Sequence, residues 1–136
     1  MAQDCSRSVL MKTLLLLGLL LLGPQTFEVP EGAILIQPPP VYAEWYQEVV
    51  ECVGVERSYD ALEFWVVPAA FGRGFTIYGD VEYAGYYDDR TSPWKRIYLV
   101  SYGRDDPRLV KHEMTHHLLA PIFGHPEPPF SLCEIQ

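Results

Sequence analysis

The sequence predicts an α+β fold, in which a small antiparallel or mixed sheet packs against two helices. Residues 41–53 and 107–120 repeat their apolar side chains with helical spacing, whereas residues 62–67 and 96–101 have the composition of strands. The second helix carries the pattern His-Glu-x-x-His. The chain has 136 residues, which is near the usual size of one domain, so we expect a single hydrophobic core.

The N-terminal segment has the features of a signal peptide. Arg7 and Lys12 supply positive charge, and Leu14 to Leu22 form an apolar run that only Gly18 interrupts. This run is too short to cross a bilayer, which takes about 20 residues, but it suits the centre of a signal peptide. We therefore expect residues 1–26 to be removed. Residues 27–136 would then form one domain that is exported, periplasmic or secreted, with no stable membrane span.

The cysteines agree with export. Once Cys5 is removed with the signal peptide, Cys52 and Cys133 remain, an even pair in a secreted chain. A disulfide between them would close a loop of about 80 residues and stabilise the fold by about 3–4 kcal/mol. The net charge of −8 argues against nucleic acid as a partner, because phosphate binding requires basic patches.

The elements before the second helix follow from short patterns. The first helix is predicted to end at Gly54, and residues 33–36 and 76–78 are compatible with short strands. The Gly-rich stretch 71–75 predicts a turn rather than a phosphate-binding loop, because no Gly-Lys-Thr sequence follows it. Residues 88–90, Asp-Asp-Arg, predict a solvated loop, with a calcium contact as the alternative.

The second helix has clear signals at both ends. Asp105 or Asp106 can cap its N-terminus, Pro107 suits its first position, and Pro121 ends it at about residue 120. An apolar stripe predicts the face that packs on the body of the protein: Val110, Met114 and Leu118.

Opposite this stripe lies a candidate metal site. Residues four apart share one face of a helix, so His112 and His116 can hold the same ion. Glu113 is rotated by about 100° from His112, which places its carboxylate beside the ion, where a general base stands. His117 is rotated equally far from His116, and we expect it to be a partly exposed or core-edge residue rather than a ligand.

A third ligand must come from outside the helix. Catalytic zinc usually has three protein ligands and one open position. His125 is favoured, because Gly124 permits a sharp turn before it and the intervening chain is long enough to fold back. Glu127 and Glu134 are the alternatives. We expect the His125 ring to approach the two helix histidines.

A strand followed directly by a helix with His-Glu-Met-Thr-His resembles the zincin metallopeptidases, over about residues 96–127. The resemblance implies zinc bound by His112 and His116, with Glu113 as the base that activates water for hydrolysis of a peptide or protein substrate. It also implies that Ile97 to Val100 form the rim of the substrate cleft. The tail resembles small exported bacterial proteins with the same helix pattern.

The chain departs from one group within that family. Leu119 and Ile122 stand where the metzincins have Gly and His. Two other functional classes also stay open, a metal-binding module without turnover and an exported interaction domain. Glu113 argues against both, because a storage or structural site does not need a base.

Overall fold

The computed structural model of the protein describes residues 29–91, 93–122 and 124–133. These residues form a four-stranded mixed sheet, a two-stranded sheet and three helices. The predicted α+β fold is therefore confirmed. The predicted signal peptide, residues 1–26, and the alternative ligand Glu134 lie outside the described residues, and the division of the chain at residue 26 stays a prediction.

The elements follow one another along the chain in a simple order. They are β1 (Ile34–Ile36), α1 (Pro40–Val53), a short 3-10 helix (Tyr59–Ala61), β2 (Leu62–Val67), β3 (Phe75–Thr76), β4 (Glu82–Tyr83), β5 (Gly85–Asp88), β6 (Lys95–Val100), α2 (Pro107–Leu119) and α3 (Phe130–Cys133). The predicted helices and longer strands are thus correct to within one residue at each end. Strands β4 and β5 have no counterpart among the predicted elements.

The larger sheet has the strand order β1-β2-β6-β5. Strands β2 and β6 pair in parallel at its centre, whereas β1 and β5 pair antiparallel at its two edges. Strand β6 is therefore bordered on both sides. The expectation that Ile97 to Val100 form the rim of a cleft is wrong, because their backbone groups already pair with β2 and β5. Among the described strands, β5 lies at the edge of this sheet, and it is the edge strand beside helix α2.

Helices α1 and α2 pack together on one face of this sheet. Both helices contribute apolar side chains to a buried cluster that meets Phe64, Ile97 and Leu99 of the central strands. The predicted apolar stripe of α2 is buried completely or almost completely. Lys111, on the same helix, is also buried and forms an ion pair of 2.5 Å with Glu48 of α1.

The ends of α2 have the expected chemistry. The carboxylate of Asp106 accepts a hydrogen bond of 3.0 Å from the backbone N–H of Arg108, and Pro107 occupies the first turn. The carboxylate therefore satisfies an N–H group that has no partner within the helix. The helix ends at Leu119, just before Pro121. A well-defined start and end fix the direction in which the histidines of this helix point.

A disulfide connects the C-terminal segment to the first helix. Cys52, in the last turn of α1, is bonded to Cys133 of α3, and their sequence separation is 81 residues. The predicted pairing is therefore confirmed. The bond holds the segment that follows α2 against the two long helices.

The Asp-Asp-Arg stretch differs from its prediction. Asp88 is the last residue of β5, and its side chain is 0% exposed. Its carboxylate accepts hydrogen bonds from the backbone N–H and the guanidinium of Arg90, at 3.1 and 2.7 Å. The expectation of a solvated loop is wrong for Asp88, because the strand continues to this residue and turns its side chain inward.

Candidate metal centre

The side chains of His112, His116 and His125 converge. One ring nitrogen of each lies within 4.8 Å of the other two, and the Nε2 atoms of His112 and His125 are 3.0 Å apart. The ring centroids are separated by 4.8 to 5.1 Å. The predicted approach of His125 to the helix histidines is thus confirmed, whereas binding of an ion by all three stays a prediction.

Imidazole nitrogens are among the ligands that bind zinc and several other metal ions. Zinc–nitrogen bonds of about 2.0–2.1 Å in a tetrahedron separate the ligand nitrogens by about 3.3 Å. The Nε2 atoms of His112 and His125 are slightly closer than this value, and all three ligand atoms lie within 4.8 Å of one another, so the rings would have to adjust to hold a zinc ion. Burial, together with the charges of His112 and His125, lowers the pKa of His116 to about 4. This imidazole is therefore neutral near pH 7, which is the form that binds metals.

Phe130 forms an apolar wall against all three histidines. Its ring centroid lies 5.0, 4.6 and 4.9 Å from those of His112, His116 and His125, respectively. The ring is buried and belongs to α3, three residues before the disulfide-bonded Cys133. Phe130 therefore couples the position of the C-terminal segment to the geometry of the candidate ligands. The sequence offered no signal for this role except a phenylalanine in a proline-rich tail.

Glu113 lies in the same cavity as the three histidines and is only 4% exposed. Its carboxylate sits directly over Gly85 of the edge strand. A Cβ atom on Gly85 would lie 2.5 Å from Oε1 and 2.9 Å from Cγ of Glu113, which is closer than atoms can approach. Glycine at this position therefore makes the space that the carboxylate occupies.

The cavity extends along strand β5. Its larger part has a volume of about 510 Å³ and lies between β5 and the end of α2, where all three histidines and Glu113 contribute to its walls. A second depression of about 490 Å³ begins at His112 and Glu113 and continues past the start of α2. Together they form a cleft that passes the candidate metal centre on both sides.

The backbone of β5 offers hydrogen-bonding groups to this cleft. The N–H of Val100 donates to the carbonyl of Ala84, which places residues 86 and 88 in the hydrogen-bonded pairs with β6. In an antiparallel ladder, hydrogen-bonded pairs alternate with pairs that exchange no hydrogen bond. Gly85 and Tyr87 belong to the second kind, so their backbone N–H and carbonyl groups point away from β6. No described strand pairs with that side of β5.

His117 does not belong to the histidine group. Its Nδ1 lies 3.2 Å from the hydroxyl of Tyr87, and the ring is buried beside Tyr46. Burial lowers the pKa of His117 to about 4. The prediction that it is not a ligand agrees with this geometry, although the ring lies deeper in the protein than a core-edge position.

Glu127, the alternative third ligand, is engaged elsewhere. Its carboxylate accepts hydrogen bonds from the backbone N–H and the hydroxyl of Ser131, at 3.1 and 2.5 Å. These hydrogen bonds from Ser131 lower the pKa of Glu127. Among the described residues, the only group that could hold a metal ion consists of His112, His116 and His125.

No protein-family model, curated protein or solved structure matches the chain. Within the described part of the chain, none of the helices has both the length and the apolar character needed to span a membrane. The resemblance to the zincins therefore remains a prediction that depends on residues 112–116 and their geometry.

Proposed function

We propose that the protein is an exported zinc-dependent peptidase, in which His112, His116 and His125 hold the ion and Glu113 is the general base. One observation carries the proposal: a buried carboxylate and three convergent imidazoles line one cavity beside an open strand edge. A bound zinc ion would supply Lewis-acid chemistry, which makes a water molecule more acidic and polarises a carbonyl group.

Glu113 would transfer the proton. In the proposed reaction its carboxylate accepts a proton from the attacking water and gives it to the departing amine. A C–O bond forms at the carbonyl carbon while the C–N bond of the peptide breaks. The 4% exposure of Glu113 supports this role, because a carboxylate shielded from bulk water interacts more strongly with charge in the cleft.

The edge of β5 would hold the substrate. An extended peptide can add a strand to an open sheet edge through main-chain hydrogen bonds, largely independent of its side chains. The outward backbone groups of Gly85 and Tyr87 lie where such a peptide would pass the histidines. The confirmed disulfide fits the oxidising compartment in which an exported peptidase works.

The test combines metal analysis with one conservative substitution. Protein purified from an oxidising compartment is expected to contain one zinc per chain and to cleave peptides in an unbiased mixture. Glu113→Gln should lower kcat/KM by about a hundredfold or more, because it removes the base, and should retain the zinc. The matched control is Glu44→Gln, on the exposed face of α1, which should change neither property.

The outcomes separate the candidate functions. If Glu113→Gln cleaves peptides as fast as the unmodified protein, the carboxylate is not the base and the proposed mechanism fails. If the protein binds zinc tightly but neither form cleaves any peptide, a metal-binding module becomes the better description.

A further inference from the structure

We propose that Arg90 determines substrate specificity by binding a carboxylate group of the substrate. The inference rests on the proposed peptidase function and names the substrate class of that site. The expected substrates are peptides with an acidic side chain close to the cleaved bond, or with a free C-terminal carboxylate at that distance.

Arg90 borders the same cavity as the candidate metal centre. It follows the end of β5 by two residues, and it contributes to the cavity wall together with the three histidines and Glu113. Its side chain is 41% exposed, so a ligand in the cleft can reach it. A peptide that runs along β5 past the histidines would therefore meet this guanidinium group within a few residues of the cleaved bond.

The guanidinium is held in a defined orientation. Its Nε donates to the fully buried carboxylate of Asp88 at 2.7 Å. Since a guanidinium is planar, the edge formed by its two Nη atoms then points away from Asp88. This edge has the geometry that binds a carboxylate with two parallel hydrogen bonds.

Tyr78 supports one face of the same group. The Cζ atom of Arg90 lies 5.1 Å from the centroid of the Tyr78 ring, within the range of a cation–π contact. The contacts with Asp88, in the plane of the guanidinium, and with Tyr78, on its face, restrict the side chain before any ligand arrives. A ligand then loses less binding energy to ordering the arginine than it would with a freely moving side chain.

A preference for acidic peptides cannot come from the overall charge of the cavity wall, because the wall carries charges of both signs. Asp89 borders the same cavity and carries the opposite charge, so the cavity wall does not present a uniformly positive field. A preference for acidic peptides would therefore require hydrogen bonds to Arg90 itself. Arg90 also compensates the buried charge of Asp88, and the experiment must separate this structural role from substrate binding.

The experiment measures a ratio of specificity constants. Pairs of peptides that differ only by Glu or Gln are compared at each of the three positions on either side of the cleaved bond. A further pair differs only by a C-terminal acid or amide, which distinguishes the two sources of the carboxylate. In the unmodified protein, one pair should show a kcat/KM about tenfold or more higher for the acidic member.

Substitution of Arg90 should remove this preference. In Arg90→Gln the acid-to-amide ratio should fall close to one, and Arg90→Lys should restore it only in part, because lysine lacks the bidentate fork. The matched control is Arg108→Gln, an exposed arginine that borders the second depression of the cleft, and it should leave the ratio unchanged. Circular dichroism and zinc content identify any variant that fails to fold.

Several results would overturn the inference. These are a ratio near one in the unmodified protein, a ratio that Arg90→Gln leaves unchanged, and a ratio that Arg108→Gln abolishes instead. If no peptide is cleaved, the proposed function fails. Binding of a carboxylate by Arg90 is then tested separately, by measuring the dissociation constants of zinc-chelating peptide hydroxamates. An acidic hydroxamate that binds about tenfold tighter than its amide, with the difference lost in Arg90→Gln, supports the inference. Equal affinities contradict it.

Discussion

Helix α2 and the segment 121–133 contribute to the candidate metal centre in different ways. In α2, the four-residue spacing of His112 and His116 and the cap at Asp106 are local features, which act over a few residues. In the segment, His125 lies outside any helix or strand, and its position depends on side-chain packing. Its neighbour Phe130 packs on the helix histidines, and the chain is then fixed by the disulfide to α1.

Because of this difference, we expect the geometry of the segment 121–133 to be disturbed more easily than that of helix α2. A capped and packed helix retains the positions of its side chains as long as the core is intact. The described residues of the segment 121–133 include one short helix, α3, so the shape of this part of the chain depends on a few anchoring contacts. Changes to these anchoring contacts should therefore disturb the position of His125 more than the positions of His112 and His116.

The largest effect is expected from the disulfide. The double substitution Cys52→Ser and Cys133→Ser should lower the free energy of unfolding by about 3–4 kcal/mol, because it releases a long loop in the unfolded chain. Urea denaturation measures the change. The same variant should also bind zinc more weakly, since His125 and Phe130 lose their anchor.

Reduction of the unmodified protein with a phosphine is the control, since it breaks the same bond without substitution. Should the double variant retain both its denaturation midpoint and its zinc affinity, the C-terminal segment is held by other contacts, and the proposed contrast between the two halves disappears.

The second prediction compares two histidines. His125→Ala should weaken zinc binding about a hundredfold or more, because the binding energy of zinc in small sites corresponds to roughly 3 kcal/mol per protein ligand. His117→Ala should change the affinity far less, although it removes a buried ring. Competition with a chromophoric chelator measures both dissociation constants. Equal losses in the two variants would show that His125 is not a ligand.

The smallest effect is expected at Gly85 of β5, which packs against Glu113 on the helix half of the site. The added methyl group of Gly85→Ala would meet the Glu113 carboxylate at 2.5 Å and displace it. We expect kcat/KM to fall tenfold to a hundredfold, as small displacements of catalytic groups do, while the zinc affinity stays constant. Steady-state kinetics and chelator competition provide these values.

A double-mutant cycle isolates the steric contact. Gly85→Ala should also lower the free energy of unfolding of the otherwise unmodified protein. In a Glu113→Ala background the side chain that collides is absent, so the same substitution should leave the free energy of unfolding unchanged. An equal cost in both backgrounds would mean that the glycine is required for the conformation of the strand rather than for the position of Glu113.

The elements that the sequence predicted correctly are those set by local rules. The bounds of α2, its cap and the apolar side that faces the core all follow from short-range patterns. The approach of His125 could be predicted because Gly124 permits a reversal of the chain, and its φ of 80° is in the left-handed region.

Other features depend on tertiary contacts that no short pattern specifies. Strand β5 has four residues, two of them tyrosine, and its extended form is stabilised by pairing with β6. The same pairing places Asp88 inside the protein, where a run of charged residues predicted exposure. The position of the cleft beside β5, and the contact of Phe130 with the histidines, required the packed structure.

The candidate ligands lie apart from the hydrophobic core, so loss of a bound ion should not remove the contacts that keep the chain folded. The buried cluster between the sheet and the two long helices uses the opposite face of α2 and contains none of the candidate ligands. Zinc fingers unfold without their metal because the ion replaces a core. Here the core is separate from the candidate ligands, so a bound zinc ion would add stability only by mass action, about 2.7 kcal/mol at a hundred times Kd. We therefore expect the ion to bind and dissociate reversibly while the chain stays folded, without a cycle of unfolding and refolding.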